Sequence, residues 1–228
     1  MLFFRFLGYL VCLYIFLLFL ELCLYKKNYR CWQFIGVPGS GKSTIAAYLV
    51  KKCNKWNSIR RFICKKIFRI KKFTNHVAMS NVPIKNSFLL ERSDIGNFLI
   101  SDSDLIIDEA GLEFGNRDFK SFTKNEMKFF KKHRHYRCNI YMFSQGFDVD
   151  LKLRDLCTRL YLVEKSLIPF FIHCKKIKKF IGIDDLTGQL VDKYKFCFGG
   201  FYVFAPKTWR MFKTHSIDTL PTKQFIKY

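Results

Sequence analysis

The sequence contains no CxxC pair, no internal repeat and no low-complexity linker, and it is short of acid, with 18 Asp and Glu against 40 Lys and Arg. Each shortage excludes something. Without paired spacing, the 9 cysteines, an odd number, match neither a zinc-ligand set nor a disulfide framework. Reduced thiols in a cytosolic environment are the simplest account. Without a linker, nothing marks a domain boundary, and 228 residues suit one domain with room for a core. A hydrophobic share of 50% excludes disorder by composition. The acid shortage leaves a formal net charge of +22, which is a statement about partners: anionic lipid, nucleic acid or both. Charge by itself does not choose between them.

The N-terminus is the longest apolar run. Phe6 to Tyr25 reads FLGYLVCLYIFLLFLELCLY, long enough to cross a bilayer as a helix with little or no tilt. Its uncharged part, Phe6 to Leu20, is shorter than ideal, which places Glu21 near the interface with Tyr25, Lys26 and Lys27. A cleaved signal peptide and a buried core helix are the rival readings; against the first, no small-x-small site follows. Arg5 precedes the run, but Lys26, Lys27 and Arg30 follow it, so the positive-inside rule puts the rest of the chain in the cytoplasm.

The chemistry begins just beyond. Cys31 to Ile35 (CWQFI) suits a buried parallel strand, and Lys42 to Lys52 reads as a helix. Between and into them run Gly36, Val37, Pro38, Gly39, Ser40, Gly41, Lys42, Ser43 and Thr44, a GxxxxGK[ST] loop in the strand–loop–helix order that a phosphate-binding loop needs. Glycines let backbone N–H groups turn toward phosphate, and the helix N-terminus adds its positive dipole end. Lys42 is placed to reach the β- and γ-phosphates of ATP, and Ser43 to sit on Mg²⁺.

A second strand, Leu105 to Ile107, ends in Asp108 and Glu109. Asp108 fits a Walker-B aspartate that holds Mg²⁺ through water, and Glu109 a general base for an attacking water. A third strand, Cys138 to Phe143, leads into Ser144 and Gln145. Gln145 is the candidate to sense the γ-phosphate or orient water. Arg134 and Arg154 are candidates for an arginine finger reaching a neighbouring subunit's nucleotide, and a structural ion pair is an equal alternative for each. His133 and His135 lack a visible third ligand for a metal.

In order and spacing these features resemble the zonular occludens toxin (Zot) family, which includes the filamentous-phage gene I assembly ATPases. The resemblance rests on the phosphate loop, Ser80 to Ile84 (SNVPI), DEAG at Asp108 to Gly111 with Arg117 beyond, His133 to Gln145 (HRHYRCNIYMFSQ), and Val149 to Leu156 (VDLKLRDL) carrying Arg154. It covers about residues 30–165. It implies an oligomeric, membrane-bound ATPase that helps assemble and export filamentous virions at the host inner membrane. The partners implied are further copies of the chain, membrane lipid and other phage assembly proteins, with single-stranded DNA left open. Best-known members carry their membrane span after the ATPase domain; here it comes before.

The expected fold is α/β: a P-loop NTPase with a mainly parallel sheet flanked by helices, preceded by one transmembrane helix. Residues 1–29 form the anchor and its basic flank, 30–165 the ATPase core, and 166–228 a β-rich extension of the same domain. Lys51 to Lys72, rich in Lys and Arg and free of acid, reads as a basic amphipathic helix with Trp56, Ile59, Ile63, Ile67 and Ile70 on one stripe. Arg117 to His135 reads as a helix whose phenylalanines are mostly core, and Tyr194 to Pro206 as a hairpin turning at Gly199 and Gly200. Two other functions stay open: a small-molecule kinase, and a nucleotide-binding membrane scaffold or toxin-like effector without turnover.

Overall fold

The computed structural model describes residues 2–24, 29–67, 75–114, 123–146, 149, 151–183 and 190–211. Its centre is an eight-stranded sheet. The strands are β1 (Cys31–Ile35), β2 (Val77–Ser80), β3 (Phe88–Leu89), β4 (Ser103–Ile107), β5 (Asn139–Ser144), β6 (Arg159–Lys165), β7 (Phe171–Ile183) and β8 (Leu190–Phe204), in the order β3-β2-β4-β5-β1-β6-β7-β8. From β3 to β6 every pairing is parallel, and β7 and β8 add antiparallel strands beyond β6. The fold is therefore mixed α/β with a mostly parallel sheet.

Strands β1, β4 and β5 are buried along their whole length, which is why they read as continuous apolar runs and not as alternating ones. On one face, α2 (Lys42–Phe62) lays Ile45, Ala46, Leu49 and Val50 against Trp32, Phe34, Tyr141 and Phe143. The other face packs Leu105, Ile107, Ile140 and Met142 against α3 (Ala110–Glu113), α4 (Lys124–Lys132) and α5 (Leu151–Leu156), through Phe129, Phe130 and Leu153.

Several expected boundaries move. The helix after the phosphate loop does not stop at Lys52: it runs to Phe62 and passes into a π turn over Ile63–Ile67, so the basic segment up to Ile67 is its second half, while residues 68–72, with Ile70 of the expected stripe, lie outside the described residues. Its buried positions there are Cys53, Asn57, Ile63 and Cys64, whereas Trp56 of the expected stripe is exposed. The physical reason lies in the loop after it. Asn57 Oδ1 accepts the His76 N–H at 3.0 Å and Asn57 Nδ2 donates to the His76 carbonyl, so the polar side chain turns inward. Between Arg117 and His135 the described helix is only α4; Arg117, Phe119 and Phe122 lie outside the described residues. Gly199 and Gly200 make no turn, for they lie inside β8 at a bulge, where β7 and β8 change register between Cys174 and Lys176.

Among the described residues no helix is long and apolar enough to cross a membrane. A helix α1 (Leu2–Leu24, 23 residues) is present. Its side chains are described only over 6–17, all of them exposed; those of Glu21, Tyr25, Lys26 and Lys27 lie outside the described residues.

Helix α4 begins at a reciprocal cap. The Thr123 side chain accepts the Glu126 N–H at 3.2 Å, and Glu126 Oε2 accepts the Thr123 N–H at 2.6 Å. Arg92 closes the unit, its Nε 2.9 Å from Glu126 Oε1. Burial raises the Glu126 pKa, but the hydrogen bonds from Arg92 and Thr123 outweigh it and leave it below the ordinary Glu value. A depressed carboxylate pKa means the unfolded chain binds more protons in acid. This part of the stability should be present above the ordinary Glu pKa and lost as pH falls toward the folded value. Urea midpoints measured across pH 3–6 should fall less steeply for Glu126→Gln than for the wild type.

Candidate functional site

In a parallel sheet the loops at the carboxyl ends of the strands converge, and binding sites form there. Gly36 to Gly41 leave β1 at that edge, and α2 starts at Lys42. Gly39 (φ 75°) and Gly41 (φ 103°) lie in left-handed space, the backbone that a phosphate-cradling loop needs, and the Ser40 N–H donates to the Val37 carbonyl at 3.1 Å. A Cβ at Gly41 would also sit 2.4 Å from Ile172 Cδ1 of β7, so that side chain would have to shift. A Cβ on Gly36 would meet Ser40 Oγ at 2.6 Å and the Val163 carbonyl at 2.8 Å. Val37, Pro38 and Gly39 are exposed, Ser40 is buried, and Thr44 lies in the first turn of α2.

Lys42 is buried, and its Nζ donates to the Gly36 carbonyl at 2.7 Å and the Val37 carbonyl at 3.1 Å. The ammonium thus curls over the loop it belongs to, where a phosphate would offer stronger, charge-assisted acceptors. Ser40 Oγ is buried without a partner, a donor available to an anion in the loop. One helical step on, the Ser43 hydroxyl donates to Asp108 Oδ2 at 3.1 Å.

That contact joins α2 to the end of β4, although β5 lies between β4 and β1. Asp108 is itself held. Its N–H donates to Asn81 Oδ1 at 2.8 Å, and Asn81 Nδ2 donates to the Asp108 carbonyl at 2.8 Å and to Glu113 Oε1 at 3.2 Å. The sequence resemblance had singled out Asn81 without a role; the fold shows it clamping the acidic tip in two directions. Glu109 follows with φ 49° and ψ 43°, an uncommon backbone for a non-glycine residue, its side chain exposed and its N–H bonded to Asp108 Oδ1 at 3.0 Å. The turn splits the carboxylates: Asp108 faces Ser43, Glu109 faces solvent.

The expected third strand runs from Asn139 through Ser144, one residue later than expected at each end, so Gln145 is the first residue beyond it. It is exposed, at the end of the strand between β1 and β4. Its footing is firm. The Gly36 N–H donates to the Ser144 carbonyl at 3.2 Å, Gln33 Nε2 to Ser144 Oγ at 3.2 Å, and Ser144 Oγ to the Gly146 carbonyl at 2.8 Å. Gln33, fully buried, was not foreseen, and the only trace of it was a polar residue inside an otherwise apolar strand.

The arginines are not drawn in. Arg134 is exposed in the turn between α4 and β5, and Arg154 is half-buried near the end of α5 just before β6. Both places lead into strands at the opposite edge of the sheet from the loop. His133 is buried, its Nδ1 2.7 Å from the Phe130 carbonyl, and burial lowers its pKa. Among the described residues no group of three or more His, Cys, Asp or Glu could hold a metal on its own. The Ser43 and Asp108 pair supplies what a Mg²⁺ shared with a nucleotide asks of a protein, namely one or two hard oxygens.

The fold and site define a class: a phosphate-loop α/β protein with an acidic strand end one strand removed from the loop. No family model matches the chain, and no curated protein matches it. Among solved structures it is similar to the N-terminal domain of zonular occludens toxin from Neisseria meningitidis, at 15% identity and TM-score 0.44, covering 81% of this chain and 99% of that one. It is also similar to the genome packaging NTPase B204 from Sulfolobus turreted icosahedral virus 2, solved with ATP-gammaS, at 11% identity and TM-score 0.44, covering 72% and 96%. The first of these bears the family name that the order of motifs in the sequence resembles.

Substituting Gly41→Ala should abolish nucleotide binding, because both its φ and Ile172 oppose a Cβ. Asn81→Ala should leave nucleotide affinity within about threefold and cut hydrolysis by roughly 10-fold to 100-fold, through misplacement of Asp108. Fluorescent-nucleotide titration and phosphate release measure the two separately.

Proposed function

We propose that the chain is an ATPase that couples hydrolysis to the assembly and export of filamentous virions at the host cytoplasmic membrane, moving DNA or the virion. The observation that carries the hydrolytic part is the Ser43–Asp108 contact with Glu109 turned to solvent beside it. The loop amides and Lys42 would hold the phosphates of ATP, and Ser43 and Asp108 would hold Mg²⁺, which when bound neutralises charge on the phosphates. Glu109 is the base for the attacking water, and Gln145 the residue that orients it. A kinase of small molecules has no need of Glu109. A scaffold without turnover has no need of either carboxylate.

Attachment to the membrane is supported by α1. Its side chains over 6–17 are apolar all round and exposed all round, with Phe6 at 64% and Tyr9 at 75%. A helix of that kind requires an apolar covering, and lipid supplies one. Assembly into a homo-oligomer would allow Arg134 or Arg154 to act on a neighbour's nucleotide, which neither reaches within its own chain. The export role itself rests on the family resemblance.

Lys42→Ala should lose nucleotide binding and virion release together. Glu109→Gln should still bind ATP while turnover falls by about 10² to 10⁴; normal release from cells carrying either variant would sink the motor reading. A phosphotransfer assay with candidate acceptors exposes a kinase. In fractionated cells the full chain should pellet with membranes and a chain lacking residues 1–29 should not.

A further inference from the structure

We propose that one face of the β7–β8 ribbon is a stacking platform for single-stranded nucleic acid. The proposal deepens the reading above, since it names what a DNA-moving ATPase would grip.

Register identifies the face. Ile172 of β7 and Val203 of β8 are partners, and both are buried in the cluster under α2. Their neighbours therefore point the other way. On that other side His173 pairs with Tyr202 and Phe171 with Phe204. Lys175 belongs to the same face, for its Nζ lies 2.5 Å from Glu164, the partner of His173 on β6. It also lies 5.5 Å from the ring centre of Phe196, which brings Phe196 onto the face.

The rings are presented, not buried. Tyr202 is 54% exposed and Phe196 61%. Tyr202 is also held flat, its ring stacked on His173 with centroids 4.1 Å apart and planes 9° from parallel. Phe204 leans on Phe171 at 5.2 Å, with Lys207 Nζ 5.9 Å from its centre. Tyr202 and Phe204 are alternate residues of one strand, hence about 7 Å apart, a spacing that a stretched single strand can follow. Between the aromatic pair and Phe196 lies the bulge. Gly199 has φ 109°, and a Cβ on Gly200 would fall 2.6 Å from the Cys174 carbonyl, so the strand can bend there only because glycine is present.

Charge supplies the rest. Lys175 and Lys179 lie on this face, Lys175 beside Glu164 and Lys179 3.8 Å from Asp155, with Lys207 at its end, whereas Lys176, Lys178 and Lys195 register with the opposite face. Rings interleaved with lysines match bases and phosphates in alternation. A lipid-inserting edge would instead gather its apolar residues into one patch. A duplex hides the base faces that these rings would meet.

The test is anisotropy of a labelled oligo(dT) with the full chain, without nucleotide. Tyr202→Ala and Phe196→Ala should each weaken binding by roughly tenfold, in keeping with stacking on a single ring. Tyr202→Phe should stay within twofold of wild type. An abasic oligonucleotide of equal length should bind the wild type about as weakly as oligo(dT) binds the double variant, a measurement that needs no mutant to fold. Equal binding of oligo(dT) by wild type and double variant overturns the platform, as does equal binding of the abasic strand and oligo(dT) by the wild type. So does a double variant that loses only its binding to phosphatidylglycerol vesicles. Failure here with ATP turnover intact removes the platform alone; absent turnover with oligo(dT) binding intact removes the ATPase reading alone.

Discussion

The hydrogen bond from Ser43 to Asp108 crosses a strand that belongs to neither residue. Ser43 starts α2, which follows β1; Asp108 ends β4; and β5 lies between. The contact is possible because β1, β4 and β5 run parallel in close register, Ile107 beside Met142 and Ile35 beside Ser144, so that their carboxyl ends reach nearly the same height. A slip of one residue in β4 would turn Asp108 to the other face of the sheet. Everything attributed to the site depends on that alignment, including the access of Glu109 to solvent and the position of Gln145 between the two motifs.

Much of the molecule can be understood as holding the alignment. At the upper edge Asn81 ties the end of β2 to Asp108, and the Gly36 N–H ties the loop to Ser144. At the lower edge a buried polar group does the same: Asn139 donates to Asp104, Asp104 lies 3.2 Å from His76 Nδ1, and Asn139 Oδ1 accepts the Arg30 N–H at 2.9 Å. The starts of β1, β2, β4 and β5 are thereby linked. A buried polar cluster is directional in a way apolar packing is not, since its groups are satisfied in one register only. The aromatic stack of Phe143, Phe34 and Tyr161 across three strands adds cohesion without that directionality.

The antiparallel pair β7–β8 plays two parts. Its inner face helps to build the site, because Ile172 closes against Gly41 and Val203 joins the cluster beneath α2. Its outer face is left with rings and lysines. The same alternation of strand side chains produces both, so the candidate nucleic-acid surface and the phosphate loop share one structural element. A load on the ribbon would bear directly on the residue that packs against the loop.

The phosphate loop, the acidic strand end, the strand leading to Gln145 and the mixed α/β character were legible in the sequence because each is local: glycines at fixed spacing, or an apolar run closed by polar residues. The sequence determined which chemical groups exist and roughly which element carries each. It did not determine which groups meet. Asn81 and Asp108 are far apart in the chain, as are Gln33 and Ser144, and only strand order brings them together. The same holds for the misread parts. Asn57 turns inward because His76 stands opposite it, and Gly199 and Gly200, which suit a turn by local preference, serve a bulge because β7 continues past them. Arg134 and Arg154, singled out for a neighbouring subunit's nucleotide and not for their own, lie on elements that lead away from the loop of their own chain. Local preference is set by a residue and its near neighbours, whereas the site is set by register among strands distant in sequence, and that register exists only once the sheet has formed.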